Sequence, residues 1–190
     1  MATTNAAENS TKVVTGKVRF CYVNVFEPTS MSEGDTPKYN LCILIPKSDT
    51  KTLEKIKKAI ECAKQAGKAK LANKNGALPA DAALKLPLRD GDVERPDDPA
   101  YEGMMFINAN SQRKPSIVDK DLNPIMSQDE FYSGCYGRAS INFYAFNVQA
   151  KGIAAGLNNL QKLEDGEVLA GGSTADEDFG GDNAWDDELM

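Results

Sequence analysis

Between Tyr136 and Val148 the sequence YGRASINFYAFNV sets a cation, hydroxyl and amide groups and flat rings two residues apart. That spacing reads as a β-strand, whose side chains alternate across the pleat. Arg138, Ser140, Asn142, Tyr144 and Phe146 then share one face, and Ala139, Ile141, Phe143 and Ala145 share a core face. The chemistry open to the first face is non-covalent. Rings stack on planar bases, a guanidinium pairs with phosphate and amides hydrogen-bond, a mixture suited to single-stranded nucleic acid. The competing reading is that Tyr144 and Phe146 close the other side of a small barrel, since aromatic residues more often pack than bind.

The same pairing of ring and cation recurs elsewhere: Arg19 beside Phe20 and Tyr22, Lys38 beside Tyr39, Tyr136 beside Arg138. Candidate phosphate contacts are Arg19, Lys38, Arg113, Lys114, Arg138 and Lys151, and candidate stacking rings are Tyr22, Tyr39, Tyr136, Tyr144 and Phe146. Stacking accepts any base, so a surface of this kind tolerates sequence and favours unpaired strands.

Covalent chemistry has little support. The chain has no histidine, which removes Ser-His and Cys-His catalysis and the usual zinc or iron sites. A Mg²⁺-dependent nuclease remains as a rival, with Asp90, Asp92 and Glu94 in RDGDVE as ligands and Asp97, Asp98, Asp119 and Asp121 as supplements. Acids in a proline-rich loop are more often turn formers facing solvent. No phosphate loop and no strand-to-helix GxGxxG occurs, and no cofactor is indicated. Cys21, Cys42, Cys62 and Cys135 are scattered, as reduced and buried thiols would be.

Charge divides the chain unevenly. Ten of the 28 acids and none of the 22 bases lie from Glu164 onward, leaving 18 acids against 22 bases, a body of +4 within a chain of −6. The acidic stretch 164–190 is rich in Gly and too poor in apolar residues to fold alone, so a disordered tail is expected. It keeps Phe179, Trp185, Leu189 and Met190 among its carboxylates, with Asp186, Asp187 and Glu188 beside them at the tip. Carboxylates on a tether resemble phosphates electrostatically, so the tail is expected to compete for a nucleic-acid groove and, once displaced, to dock on partner proteins. A tail that only solubilises, as on a virion or assembly protein, is the bland alternative.

Positioning such a surface requires a small barrel. Lys12 to Phe26 reads as one long strand with a bend at Gly16, and Tyr39 to Ile45 as a buried strand. Thr50 to Leu71 reads as a helix capped by Ser48 or Asp49, with Leu53, Ile56, Ile60 and Ala63 toward the core and a lysine-rich opposite face. Residues 72–100 form a long connection, Tyr101 to Ser111 and Pro115 to Val118 read as paired strands, and GIAAGLNNLQKL reads as helix or loop. A mainly β chain of about five strands with one inserted helix matches an OB-fold, a five-stranded Greek-key barrel. The expected layout is a flexible leader over 1–11, the barrel over 12–163 and the acidic tail over 164–190. No apolar run approaches a membrane span and MATTNAAENS lacks the parts of a signal peptide, which predicts a soluble intracellular protein.

Five segments carry a family resemblance: GKVRFCYVNVFEP (Gly16 to Pro28), KYNLCILIPK (Lys38 to Lys47), INANSQRKPSIVD (Ile107 to Asp119), YSGCYGRASINFYAFN (Tyr132 to Asn147) and KGIAAGLNNLQKLEDGE (Lys151 to Glu167). In order and spacing they resemble the bacteriophage single-stranded DNA-binding proteins of OB type, a family once kept under an uncharacterised-function heading. The resemblance implies a non-enzymatic protein that coats single-stranded DNA without sequence preference. It also implies a part in phage replication, recombination or repair, action in the cytoplasm of an infected bacterial host, and an acidic tail that recruits replication or recombination proteins. Self-association is left open. Tails of this kind commonly finish in an aromatic residue, whereas this chain ends Glu188-Leu189-Met190 with Trp185 further back.

Overall fold

Eight strands, the long second one made up more than half of β-branched and aromatic residues, run through the computed structural model, which describes residues 10–30 and 32–169. They are β1 (Lys12–Val14), β2 (Val18–Thr29), β3 (Lys38–Pro46), β4 (Arg89–Asp90), β5 (Met104–Ser111), β6 (Ser116–Val118), β7 (Tyr136–Val148) and β8 (Ala150–Glu164). Five of them close a barrel. β7 pairs with β2, β2 with β3, β3 with β5, and β8 with β7, all antiparallel. The parallel pair β5–β8, through Ala109↔Ala155 and Asn110↔Gly156, completes the ring. This is the OB arrangement, with β1 added beside β7 and β6 beside β8.

Alternation fills the interior. Along β7 the odd residues Ala139, Ile141, Phe143 and Ala145 are buried, and they meet Phe20, Leu41, Ile43, Ile107, Ile153, Ala155 and Leu157. Helix α1 (Thr50–Ala66) seals one end. Asp49 caps it by accepting the Thr52 N–H at 3.2 Å, and Ile56, Ala59, Ile60 and Ala63 face the barrel. The helix stops at Gly67, where a Cβ would collide with Ala145 of β7, and only a single further turn, α2 (Lys68–Leu71), follows. The 72–100 connection is tied down rather than loose. Leu84 is buried, Lys85 bonds both ways with β8, and Lys64 is a buried cation holding Asp81 and Glu61.

Three expectations need correction. The first long strand is broken at residues 15–17, where Gly16 lies against Asp49 and Thr52 of the helix cap and leaves no room for a side chain. Tyr101–Ser111 and Pro115–Val118 do not pair with each other; β5 and β6 lie along successive parts of β8. GIAAGLNNLQKL is neither helix nor loop but the middle of β8. The pairing steps from Ser140↔Asn159 to Ile141↔Leu157, so Asn158 is an inserted bulge residue. Ile153, Ala155 and Leu157 are buried at the two-residue spacing of a strand, and the bulge then puts the next buried residue, Leu160, three further on, which breaks the period.

Candidate nucleic-acid interface

One row of residues runs round the outside of the barrel. Cross-strand partners link Asn24 on β2 to Asn40 on β3, Asn40 to Asn110 on β5, Asn110 to Gly156 on β8, and Gly156 to Asn142 on β7. Neighbouring strands stand about 4.8 Å apart, so the row spans roughly 19 Å. Above it lie two joined depressions. The larger, about 810 Å³, is lined by Tyr22, Asn24, Lys38, Asn40, Arg95, Asn108, Asn110 and Gln112, with Asp35 and Thr36 from the β2–β3 loop. The smaller, about 290 Å³, is lined by Asn142, Tyr144, Gly156 and Asn158 and shares Lys38, Asn110 and Gln112 with the first.

An exposed tyrosine stands at each end of this groove. Tyr144 keeps the alternation of β7 and is 42 % exposed. Its ring lies over Gly156, where a Cβ would stand 3.6 Å from Tyr144 Cε1. Tyr22 is 60 % exposed and gets there differently. It has φ +48, in the left-handed region that a bulky L-residue seldom occupies, at a shift in β2–β3 register between Cys21 and Asn24. Asn24 Nδ2 donates to the Tyr22 carbonyl at 3.2 Å and to Asn40 Oδ1 at 3.1 Å, while Asn40 Nδ2 donates to Thr29 Oγ1 and the Lys38 carbonyl. Two asparagines of the row are thereby committed to the bulge. Asn108, Asn110 and Gln112 have no side-chain hydrogen bond to any described residue, so their amides are available to a ligand.

The floor beneath Tyr22 is apolar. Tyr101 packs edge-on against Phe106 at 5.1 Å, and its hydroxyl lies 3.5 Å from both Cys21 Sγ and Cys42 Sγ. The hydrogen bond to Cys21 and burial push the Cys42 thiol well above its usual range, and burial does the same for Tyr101. Cys42 and Tyr101 therefore stay neutral, while the hydrogen bond with Cys42 shifts the Cys21 thiol downward. Arg95 stacks over Tyr101 at 5.9 Å, which brings a cation to the groove wall.

Of the residues singled out from sequence, Tyr22, Lys38 and Tyr144 line the groove. Arg113 and Lys114 follow Gln112 and are exposed, with Lys114 lying 5.7 Å from the Phe26 ring. The others are brought elsewhere. Tyr39 has the parity of the interior residues Leu41 and Ile43. Tyr136 lies under Lys17 and Arg19, at 5.2 and 5.3 Å, and against Gly166. Arg19 is spent on backbone, with Nε donating to the Gly134 carbonyl and Nη2 to that of Glu167. Arg138 Nε donates to the Thr15 carbonyl and Lys151 Nζ to that of Ala72, each at 2.9 Å. Phe146 closes over Gly152. Phe179, Trp185, Asp186, Asp187, Glu188, Leu189 and Met190 lie outside the described residues.

Sequence reasoning passed over Arg95 and the amides Asn24, Asn40, Asn108, Asn110, Gln112 and Asn158. A signal was present in INANSQ, where Asn108, Asn110 and Gln112 alternate as strand neighbours on one face do. The nuclease ligands are differently employed. Lys47 Nζ sits 2.8 Å from Asp90 and 2.6 Å from Asp92, and the second oxygen of Asp92 accepts the Gly103 N–H. Among the described residues no group of three or more His, Cys, Asp or Glu is placed to hold a metal. No helix among them is long and apolar enough to cross a membrane.

Comparison with known proteins agrees with this fold. The chain is 34 % identical over 169 residues to protein p50 of Acyrthosiphon pisum secondary endosymbiont phage 1, covering 86 % of this chain and 89 % of that one. A solved structure of the single-stranded DNA-binding protein from bacteriophage Enc34 in complex with ssDNA superposes with a TM-score of 0.71 at 28 % identity, over 86 % of this chain and 94 % of that one. A C-terminal truncation of the Enc34 protein superposes with a TM-score of 0.70 at 27 % identity, over 83 % and 88 %. The family and its structural neighbours are binding proteins and not enzymes. The family model for the Enterobacter phage Enc34 ssDNA-binding protein matches residues 11–190, and this chain belongs to that family.

Proposed function

We propose that the chain binds single-stranded DNA without sequence preference, laying the strand along the groove between Tyr22 and Tyr144. The observation that carries this is the continuity of the groove: two exposed rings at its ends, with an amide floor and cations between them. Tyr22 and Tyr144 stack on bases, while Asn108, Asn110 and Gln112 offer both a donor and an acceptor and therefore suit any base edge or sugar. Lys38, Arg95, Arg113 and Lys114 meet phosphates. A duplex hides its base faces and gains nothing from the rings. A gel-shift titration with single- and double-stranded oligonucleotides of one sequence tests this; equal affinity for both would reject it.

The wider reading is a phage protein that coats single strands during replication, recombination or repair in the cytoplasm of the infected host. The acidic C-terminal stretch fits a competitor for the groove and a recruiter of basic partner proteins. Its root supports this, because Leu169 packs on the Tyr101–Phe106 cluster that underlies the groove wall. Removing 170–190 is expected to tighten DNA binding most at low salt, where carboxylate competition is least screened. Unchanged affinity would reject the competitor role.

A further inference from the structure

The chain beyond β8 does not leave the barrel at once. Residues 165–169 cross the 132–135 loop as a strap. Tyr132 Oη donates to the Gly166 carbonyl and accepts the Gly166 N–H, at 3.0 and 3.1 Å, and also reaches Asp165. Arg19 holds the Glu167 carbonyl at 2.8 Å. Gly134, at φ +116, and Gly166 face each other at the crossing, and a Cβ on either would enter the other segment's backbone. Leu169 then packs on the apolar cluster beneath the groove. Two glycines, an arginine and a tyrosine make this a built crossing.

Its last bond lands on Ser133. The Leu169 N–H donates to the Ser133 carbonyl at 2.8 Å, and the Ser133 hydroxyl accepts the Val23 N–H at 3.0 Å. Val23 immediately follows Tyr22. The carbonyl of Tyr22 is held on its other side by Asn24. The unusual backbone that turns the Tyr22 ring outward is therefore pinned by two side chains, one of which is fixed by the strap.

We propose that Ser133 and Asn24 are positioning residues for Tyr22, and that the 165–169 strap, root of the acidic C-terminal stretch, holds Ser133 so that strap docking and stacking at Tyr22 are coupled. This rests on the reading of the groove as a single-stranded DNA site. A force or partner drawing on the C-terminal stretch would be felt at the ring through the chain Leu169, Ser133, Val23. Residues 165–169 then belong to the binding module, although their sequence continues into the acidic stretch.

The test is a set of double-mutant cycles in the full chain, reading affinity for a labelled oligothymidylate by fluorescence anisotropy and folding by thermal melting. Ser133→Ala is expected to weaken binding about two- to tenfold, the range of one net hydrogen bond. Ser133→Thr, which keeps the hydroxyl, should restore it. Asn24→Ala, and Gly166→Ala, which lifts the strap, should each weaken binding similarly. None of the three weakening changes should cost anything further in a Tyr22→Ala background. Full additivity with Tyr22→Ala, or unchanged affinity in Ser133→Ala and Gly166→Ala, overturns the coupling. Failure of the unaltered protein to bind the oligonucleotide would instead overturn the groove reading beneath it.

Discussion

Tyr144 of β7 lies over Gly156 of β8, two strands that pair through thirteen residues of β7 with Gly156 opposite Asn142. The absence of a side chain at 156 keeps the floor low beside the ring. A base stacked on Tyr144 can therefore sit down onto the amide row rather than perch above it. Tyr144→Ala is expected to weaken binding of a short oligonucleotide by about 1–3 kcal/mol, the loss of one stacked base. Because the ring lies on the outer face and outside the core, the melting temperature should barely move, and Tyr144→Phe should bind as the unaltered protein does. Anisotropy titration beside a thermal melt measures both.

Cations differ in what they are free to do. Lys38 and Arg95 line the groove and Arg113 and Lys114 flank it, whereas Arg19, Arg138 and Lys151 are bound to backbone carbonyls. Each phosphate neutralised on a single strand contributes about −0.7 to the slope of log affinity against log salt. Lys38→Ala should make the slope shallower by about that amount. Lys151→Ala should leave the slope unchanged and lower stability instead, since it releases the Ala72 carbonyl that ties the post-helix segment to β8. Titrations at several salt concentrations separate the two.

The Lys47 cluster predicts an acid sensitivity. The hydrogen bond from Lys47 holds the carboxyls of Asp90 and Asp92 below the usual carboxylate range, and Asp92 gains further from the Gly103 N–H. A carboxyl whose folded pKa is depressed contributes stability above its unfolded value, about 3.9, and loses it as pH falls through the folded value. Lys47 itself is raised by both aspartates, so its contribution is lost only at strongly alkaline pH. Melting temperature should be level around neutrality and fall below about pH 4. In Lys47→Met that acid decline should be shallower. All three groups are exposed, so the effect is small and fades with salt.

Closure of the barrel depends on its interior row. Phe143 is 1 % exposed and pairs across to Ala155. Phe143→Ala should cost about 3–5 kcal/mol, the range for emptying an aromatic site in a core that relaxes only in part. Urea unfolding would read this directly. DNA binding should fall only where the barrel itself opens.

Much of the scaffold was legible before any coordinate. The alternation of β7 identified its core face residue by residue, because a strand with one face buried must repeat every two residues. The helix start was legible as a cap at Ser48 or Asp49, of which Asp49 serves, and Gly16 marked the place where the first strand breaks. β8 was not, since one inserted residue, Asn158, follows the alternating Ile153, Ala155 and Leu157 with a step of three to Leu160 and breaks the two-residue period. A bulge is defined by a pair of strands, so the odd spacing along one of them does not identify itself as a bulge.

What the linear chain determined was type: rings, amides and cations without histidine, a basic body and an acidic end, and strands enough for a small barrel. Tertiary structure alone decided which of them meet. Asn24, Asn40, Asn110, Gly156 and Asn142 fall into one row only when five strands from distant parts of the chain come into register round a closed ring. Folding placed backbone carbonyls beside Arg19, Arg138 and Lys151, a difference from Lys38 that their residue types did not mark. Buried or half-buried carbonyls need donors, and the nearest cation supplies one before any phosphate arrives.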